Sequence, residues 1–243
     1  MIMYAIETAS LTKDYGAKRA LDGLNLTVHD GELFALLGVN GAGKTTAIKL
    51  LSCLMKPTEG SASIYGHDII SESHEARSVL ATSPQETAVA PNLTTRENLE
   101  LMAGIYGASS KEAKDKATEM IQRFNLTSIE NTKAKKLSGG WQRRLSIAMA
   151  LISEPKLLFL DEPTLGLDIL ARRELWTIIR QLKGKTTIIL TTHYLEEAEA
   201  LSDRIGILAH GKLTALGTAP ELMDKSGAKN FEDAFIALAG GVI

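Results

Sequence analysis

The sequence has a single cysteine, Cys53, among its 243 residues, so no disulfide can form within the chain. This residue lies in the apolar stretch AIKLLSCLM, and cysteine is among the residue types most often found buried. We therefore expect a buried thiol in a reducing compartment.

Long apolar runs are also lacking. No stretch approaches the roughly 18 residues that a membrane-spanning helix needs, and the start, MIMYAIETAS, lacks the charged-then-apolar pattern of a secretory signal. These absences predict a cytoplasmic protein. If it works at a membrane, a separate chain must provide the spanning helices.

An excess of charge of either sign is missing. The chain has 27 Lys and Arg against 29 Asp and Glu, a formal net charge of -2, so it shows no basic footprint for nucleic acid. Hydrophobic residues at 44% and charged residues at 23% are typical of a globular domain. A histidine metal cluster is not predicted either, because these histidines show no ligand spacing: His29, His67, His74 and His210.

Short stretches rich in β-branched and aromatic residues open the chain and predict strands. YAIETAS and LNLTV are the clearest, bounded by turn signals at Asp22-Gly23 and Asp30-Gly31. They are followed by ELFALL, an apolar run of the buried-strand type, then a glycine-rich turn and TTAIKLLSCL, whose apolar positions have helical spacing.

A charged, alanine-rich segment from Asn92 to Lys136 predicts a helical insertion, with ENLELMAGIYG and KEAKDKATEMIQRFNL as its clearest helices. Beyond it, the helices WQRRLSIAMALIS and ILARRELWTIIRQLK alternate with the apolar strands KLLFLD and TTIILTT. This alternation is typical of a parallel sheet with crossover helices.

The tail RIGILAHGKLTALG predicts two more strands. A last helix follows, with Asn230 as its N-cap and Phe231, Phe235 and Leu238 on one face. The chain has no internal repeat and no low-complexity segment, so we expect a single domain.

The segment from Gly38 to Thr45, GVNGAGKT, matches the phosphate-binding pattern G-x-x-x-x-G-K-[ST] between a predicted strand and a predicted helix. Its backbone N–H groups would converge on phosphate oxygens, Lys44 would reach the β and γ phosphates, and Thr45 would supply a hydroxyl to Mg²⁺. The alternative is a glycine-rich turn without a ligand. The predicted contacts are Gly38, Asn40, Gly41, Ala42, Gly43, Lys44, Thr45 and Thr46.

Two adjacent acids, Asp161 and Glu162, lie in LLFLDE at the C-terminal end of a predicted strand, where open α/β sheets bind ligands. Asp161 would hold Mg²⁺, directly or through water, and Glu162 would orient or deprotonate the attacking water. A helix-capping or surface acidic pair is the alternative, although packing alone gives little reason to keep two repelling carboxylates together.

The stretch LSGGWQRR places two glycines in front of a predicted helix. Ser138 is its predicted N-cap, and Gly139 and Gly140 leave N–H groups exposed, which predicts a second anion site. The residues alone leave two arrangements open. The two anion sites bind separate ligands, or one γ-phosphate is held from both sides when two copies of the chain meet.

In the same order and over nearly the whole chain, these motifs resemble those of the ATP-binding cassette (ABC) ATPases. In that family an LSGGQ signature closes over ATP held by the phosphate loop of the opposite subunit, which implies that Ser138, Gly139 and Gly140 act in trans. Two residues depart from the pattern: Val39 stands where proline is common, and Trp141 replaces the signature glutamine. Trp141 puts in doubt any contact that the glutamine side chain makes.

Four further residues match the family. Tyr15 resembles the aromatic that stacks on adenine, and Gln85 the glutamine that touches Mg²⁺ and the water. Asp168 ends a Leu-Gly-Leu-Asp stretch that resembles the loop crossing the family's dimer interface, and His193 resembles the histidine on the γ-phosphate. Each has an ordinary alternative: a packing aromatic, a polar loop residue, a helix N-cap and a structural histidine.

The resemblance implies ATP and Mg²⁺ as the bound groups. The implied catalytic residues are Glu162, His193, Gln85 and Lys44; the Mg²⁺ ligands are Thr45, Gln85 and Asp161; the contacts to ATP in trans are Ser138, Gly139, Gly140 and Asp168.

The resemblance also implies an α/β fold, a P-loop NTPase cassette with a RecA-like parallel-sheet core, an N-terminal antiparallel β subdomain and a helical subdomain. Residues 1–243 would be one ABC ATPase domain. The core with its β subdomain would span 1–91 and 137–243, and the helical subdomain 92–136.

Within the family, TTHYLEEAEALSDRIGIL and FEDAFIALAG resemble the ATPases of ABC-2-type exporters, which serve separately encoded permeases. This implies an ATP-hydrolysing subunit on the cytoplasmic face of the membrane that pairs with a second copy or a related cassette. The segment after Gln85 and the insertion from Asn92 would receive a coupling helix of the permease. The alternative for the insertion is a plain solvated helical face.

A second function stays open, that of a soluble ABC ATPase acting on a non-transport partner. Such proteins usually carry two cassettes in one chain or insert long coiled coils. This sequence has neither feature.

Overall fold

The computed structural model describes residues 4–241, in which no helix is both long and apolar enough to cross a lipid bilayer. The strands are β1 Tyr4–Tyr15, β2 Lys18–His29, β3 Leu33–Leu37, β4 Glu59–Ile64, β5 His67–Asp68, β6 Leu80–Ser83, β7 Leu157–Asp161, β8 Thr187–Thr192, β9 Arg204–Ala209 and β10 Lys212–Gly217. The helices are α1 Lys44–Leu51, α2 Ser73–Ser78, α3 Thr95–Ile105, α4 Ser110–Arg123, α5 Gly139–Leu151, α6 Ile169–Leu182, α7 Leu195–Leu201, α8 Ala219–Ser226 and α9 Phe231–Leu238.

The apolar strands form a six-stranded sheet in the order β10-β9-β3-β8-β7-β6. Every residue of β3, β7 and β8 is buried, as expected for strands covered on both faces. All pairs are parallel except β9 with β10, so the predicted parallel sheet is confirmed with one antiparallel edge strand. Because parallel strands end at one edge, the segments that follow β3, β6, β7 and β8 lie close together.

A second sheet is antiparallel, in the order β2-β1-β4-β5. The turn predicted at Asp22-Gly23 is wrong, because both residues lie inside β2. There the register slips between the pairs Leu11–Leu24 and Lys13–Leu21, and Gly23 has a φ of 61°. Glycine supplies the left-handed conformation of a β-bulge, so the turn signal marks an extra residue in a continuous strand.

The two helices predicted between 92 and 136 are confirmed as α3 and α4. Each begins with a capping box: Thr94 with Glu97, and Ser109 with Glu112. Their apolar faces share one buried cluster with α5, α6 and the parallel strands. Whether 92–136 is a separate subdomain stays a prediction.

Cys53 is half-buried, so the prediction of a fully buried thiol is only partly right. It follows α1 with a φ of 57° and packs against the edge of the apolar cluster below that helix. Burial raises the pKa of this thiol. The turn that ends α1 brings the residue to the surface, which its apolar sequence neighbours do not reveal.

The last helix agrees with its prediction. Asn230 is the N-cap of α9, and its Oδ1 accepts a hydrogen bond from the Asp233 N–H at 2.9 Å. Phe231 and Phe235 are buried and Leu238 is partly buried in one cluster with α7 and β9.

A buried amide holds the loop that leads into α3. Asn98 is fully buried, and its Oδ1 accepts from the Ala90 N–H at 2.8 Å. Its Nδ2 donates to the carbonyls of Ala90, Leu93 and Thr94 at 2.9 to 3.3 Å. One side chain therefore fixes the backbone of residues 90–94.

We predict that Asn98→Leu lowers the free energy of unfolding by about 2–4 kcal/mol, because buried backbone groups lose their partners. The measurement is urea unfolding followed by circular dichroism. The matched control is Asn92→Leu, which alters an exposed amide of the same loop and should change stability by less than about 0.5 kcal/mol. Equal losses in the two variants would contradict the role of Asn98.

Candidate functional site

The glycines of the phosphate loop serve two different structural purposes, close packing and a left-handed backbone. A Cβ on Gly38 would lie 2.4 Å from the Leu208 carbonyl oxygen, and one on Gly43 would lie 2.5 Å from that of Ala20. Gly41 has a φ of 83° and nothing within 4 Å of its Cβ position. Gly38 lets the loop pack against its neighbours, and Gly41 provides a left-handed backbone beside open space. Gly43 serves both purposes, since its φ is 110°.

Lys44 begins α1 with its ammonium inside this loop. The residue is 5% exposed, and its Nζ donates to the carbonyls of Gly38 at 2.7 Å and Val39 at 3.3 Å. Nζ also lies 3.2 Å from Oε1 of Glu162. Val39 takes part only through its carbonyl here, so valine in place of proline removes no contact to Lys44.

Thr191 of β8 positions both acids. Its Oγ1 donates to Oδ1 of Asp161 at 2.6 Å. The Glu162 N–H lies 3.1 Å from both the Thr191 carbonyl and Oγ1. The two carboxylates are 5% and 8% exposed, so a solvated surface pair does not describe them.

Glu162 lies between two cationic or potentially cationic groups. Besides Lys44, His193 places Nδ1 2.7 Å from Oε2 of Glu162. The two atoms are close enough for an ion pair, but their angle does not fit a hydrogen bond. Nδ1 of His193 has no hydrogen-bond partner among residues 4–241. Glu162 itself has a φ of 46°, a strained backbone of the kind concentrated at functional sites.

A cavity of about 670 Å³ lies at this edge of the parallel sheet, within the size range of small-molecule sites. Ten predicted site residues are among those that line it. They are Tyr15, Asn40, Gly41, Gly43, Lys44, Thr45, Thr46, Gln85, Glu162 and His193. Leu165, the first residue of the Leu-Gly-Leu-Asp stretch, also lines it, as do Lys18 and Ala20, which no motif in the sequence singled out.

The residues around this cavity fit a nucleoside triphosphate with Mg²⁺. Lys44 and the N-terminal end of α1 suit polyphosphate charge. The oxygens of Thr45, Gln85 and Asp161 are the hard donors that Mg²⁺ prefers. Tyr15 is 45% exposed, with its hydroxyl 3.0 Å from Sδ of Met55, so it lines the cavity and is not a core packing residue.

Gln85 is held by a buried arginine of α5. Arg143 is 4% exposed and donates to the carbonyl of Pro84 at 2.6 Å and to that of Gln85. Burial lowers the pKa of Arg143, and the nearby charge of Asp161 opposes this shift. Sequence reasoning missed Arg143, because an arginine next to a second arginine on a helix resembles a solvated pair.

The Ser138–Gly140 segment does not line the Lys44 cavity. Ser138 is the N-cap of α5 as predicted, but its side chain makes no capping hydrogen bond. Ser138 and Gly139 are exposed, and a Cβ on Gly140 would lie 3.2 Å from Cβ of Ala171 in α6. The hydroxyl and the first N–H groups of α5 are therefore presented at the surface.

Trp141 packs beside this segment. The guanidinium of Arg144 lies 4.6 Å from the indole centroid, a cation–π distance, and Arg144 also pairs with Glu174 of α6. The indole contacts the apolar cluster that α5 and α6 share. In this structure Trp141 contributes to packing between two helices.

Asp168 is the N-cap of α6, where its Oδ1 accepts from the Ala171 N–H at 2.9 Å. This agrees with the ordinary alternative for this residue. Asp168 is exposed and, like Ser138, does not line the Lys44 cavity. The chain thus has one group of predicted residues in the cavity and a second group on the surface.

Comparison with known proteins identifies the family. The family model described as ABC transporter matches residues 21–165. The daunorubicin/doxorubicin resistance ATP-binding protein of Streptomyces peucetius is 44% identical over 225 residues, covering 92% of this chain and 68% of that protein.

Solved structures show the same fold. The ATP-binding subunit of an ABC transporter superposes with a TM-score of 0.85 at 32% identity, covering 96% of this chain and 99% of that one. A dimeric ATP-binding cassette in a post-hydrolysis state, bound to ADP and Pi, gives a TM-score of 0.79 at 28% identity over 88% of this chain and 98% of that one. The α/β cassette fold predicted from the motifs is therefore confirmed, and the chain is an ATPase that belongs to the ABC transporter family.

Proposed function

We propose that this chain hydrolyses ATP to power a separately encoded membrane permease that exports its cargo. The observation that most directly supports ATP hydrolysis is the buried Glu162 carboxylate, which lies between Lys44 and His193 at a cavity large enough for a nucleotide. The relative from Streptomyces peucetius is named for resistance to two drugs, which supports export. The chain itself would lie on the cytoplasmic face of the membrane, held there by the permease.

In the proposed reaction, the phosphate loop and Lys44 bind the polyphosphate of ATP. Phosphate charge competes with Glu162 for Lys44, and this frees Oε1 to accept a proton from the attacking water. His193, whose Nδ1 lies 2.7 Å from the other oxygen of that carboxylate, contacts the γ-phosphate, and Gln85 orients the water. The water oxygen forms the new bond to the γ-phosphorus, the bond to the β–γ bridging oxygen breaks, and ADP and phosphate leave.

Thr45, Gln85 and Asp161 would hold Mg²⁺, which when bound neutralises charge on the β and γ phosphates. Tyr15 would stack on the adenine.

A second copy of this chain, or a related cassette, would complete each site. Ser138, Gly139, Gly140 and Asp168 would contact ATP bound by the partner subunit's phosphate loop. Ser138, Gly139 and Asp168 are exposed, and none of the four lines the Lys44 cavity, which supports this arrangement over a contact within one chain. The dimeric state of a solved cassette bound to ADP and Pi also supports it.

The permease would dock on α3. Three large apolar side chains are exposed there: Leu101 at 46%, Ile105 at 66% and Tyr106, just after the helix, at 54%. Tyr106 also lines a cavity of about 480 Å³ between α3, α4 and the start of β6. This apolar surface favours a docking face over the solvated face that charge-rich helices usually present.

The second candidate is a soluble ABC ATPase that acts on a non-transport partner. The same catalytic residues would serve it, so only the partner separates the two functions.

We predict that Glu162→Gln lowers kcat for ATP hydrolysis by about 10²- to 10⁴-fold, the range for loss of a general base. ATP affinity should stay within a few-fold, because Lys44 and the loop remain. The measurements are phosphate release and equilibrium binding of a fluorescent ATP analogue. Glu119→Gln, on the exposed face of α4, is the matched control. Unchanged hydrolysis in Glu162→Gln would disprove the assignment of the base.

We predict that Ser138→Arg blocks ATP-dependent dimerisation but leaves ATP binding by the monomer intact, because the bulky cation fills the surface facing the partner's nucleotide. Light scattering with ATP in the Glu162→Gln background measures the dimer. Ser128→Arg, an exposed serine before α5, is the control. Loss of ATP binding in monomeric Ser138→Arg would refute the role in trans.

We predict that Ile105→Asp releases the chain from membranes when it is co-expressed with its permease, while hydrolysis by the isolated chain is unchanged. A charge at a docking contact removes apolar burial. Membrane retention after salt washing is the measurement. Leu54→Asp, at a position 69% exposed beyond α1, is the control. Equal retention of both variants would reject α3 as the docking face, and no retention of the wild type would favour the soluble alternative.

A further inference from the structure

Glu197 is a buried acid with no part in the proposed reaction. The sequence LEEAEAL of α7 resembles a solvated helix, and its neighbours Glu196 and Glu199 are indeed exposed. Glu197, however, is 0% exposed. Transfer of a carboxyl group into a protein interior is costly unless specific partners compensate it, so its surroundings require an explanation.

Three polar side chains from three elements surround this carboxyl group. The Trp176 Nε1–H of α6 donates to Oε1 at 2.9 Å. The hydroxyls of Thr164 and Thr192 lie close enough to favour the charged form, as does Arg172 at longer range. Burial outweighs these effects and raises the pKa of Glu197.

The pairing with the threonines is incomplete. Neither Oε2 of Glu197 nor Oγ1 of Thr164 meets the distance and angle of a hydrogen bond with any residue in the described range 4–241. The Thr164 hydroxyl, which can donate, and Oε2 of Glu197, which can accept, are therefore buried near each other without a well-formed hydrogen bond. Each such group left unpaired costs about 1–3 kcal/mol.

The partners of Glu197 flank the catalytic groups on either side. Thr164 lies two residues after Glu162, in overlapping turns: the Leu165 N–H donates to the Glu162 carbonyl, and the Leu167 N–H to that of Thr164. Asp168 follows directly. Thr192 precedes His193, and its Oγ1 accepts from the Tyr194 N–H at 3.0 Å.

We propose that Glu197 is a positioning residue for ATP hydrolysis: its carboxyl group, through Thr164, Thr192 and Trp176, sets the placement of the Glu162–Asp168 turn relative to His193. This inference rests on the proposed function. Because Asp168 would reach the site of the partner subunit, Glu197 joins the base and the histidine of one site to a contact of the other. The carboxyl group acts through its hydrogen bond from Trp176 and its closeness to the two threonine hydroxyls, and it does not touch substrate.

A packing role alone would not need a carboxyl group. A leucine of similar volume would fill the same space without the cost of burying a polar group, and such replacements are often neutral or stabilising. Buried polar groups that lower stability are concentrated at sites where they serve function. The two roles therefore predict different results when Glu197 is replaced by leucine. A packing role predicts a change in stability alone, and a positioning role predicts a change in kcat.

The test compares Glu197→Leu with Glu197→Gln in the full chain, with steady-state phosphate release at varied ATP and thermal unfolding of each variant. Glu197→Leu should lower kcat about tenfold or more, as expected for misplaced catalytic groups, with KM for ATP within about threefold of the wild type. Glu197→Gln can still accept from Trp176 and pair with a threonine, so its kcat should stay within about threefold.

The matched control is Glu32→Gln. Glu32 is also buried, at 7% exposure, and it accepts from the His29 N–H at 2.7 Å and pairs with Arg204 at 3.2 Å. It precedes β3, at the opposite edge of the sheet from the cavity. This variant should lose stability without losing kcat.

Several outcomes would overturn the inference. Wild-type kcat in Glu197→Leu would reduce Glu197 to packing, and equal kcat losses in Leu and Gln variants would assign the effect to charge instead of hydrogen bonding. If Glu197→Leu does not fold, Trp176→Phe and Thr164→Val each remove one polar partner, and wild-type kcat in both would overturn it. If the wild type hydrolyses ATP and Glu162→Gln abolishes this activity, the proposed function stands whatever the Glu197 variants show. A wild type without activity would overturn both the proposed function and the role of Glu197.

Discussion

The contact between the Lys44 ammonium and the Glu162 carboxylate, 3.2 Å apart and almost fully buried, is the interaction on which the site depends. Burial of two charges costs several kcal/mol for each ion, so the fold must hold both groups firmly. The sheet order does this, since β8 lies between β3, which leads to Lys44, and β7, which leads to Glu162. Thr191 at the end of β8 then binds Asp161 and the Glu162 backbone. A polyphosphate that attracts Lys44 would alter a pair already fixed in position.

Helix α5 belongs to two parts of the molecule at once. Its buried Arg143 holds the backbone of Gln85 in the cavity of its own chain, and the Ser146 hydroxyl lies 3.2 Å from that of Ser83 at the end of β6. The N-terminus of the same helix presents Ser138 at the surface. A helix is too stiff for its two ends to move independently. If a partner subunit displaced Ser138, the helix would therefore also shift Arg143 and the Gln85 backbone that it binds.

The sequence allowed prediction of the parallel sheet, the phosphate loop and the acid pair, because each depends on a local pattern or on the shared edge where parallel strands end. It could not separate Gly38, which avoids a clash with Leu208, from Gly41, which provides a left-handed backbone. It misplaced Gly23, since a β-bulge and a turn both need a left-handed residue.

Short elements with few apolar residues, such as β4, β6 and α2, have too weak a hydrophobic periodicity to be predicted from the sequence. Thr191 and Glu197 act through tertiary contacts that no local pattern encodes.

Of the two glycines that begin α5, Gly140 gains a structural reason, whereas a Cβ on Gly139 would have nothing within 4 Å. A Cβ at Gly140 would lie 3.2 Å from Cβ of Ala171, so glycine lets the first turns of α5 and α6 approach closely. Asp168 caps α6 at this same point, and Ser138 occupies the N-cap position of α5. Close packing of the two helix starts therefore fixes the spacing of both surface groups. Trp141 packs beside Arg144 against the cluster that α5 and α6 share and so adds to this contact. Its backbone N–H is the same as that of the glutamine it replaces, because only proline removes this donor.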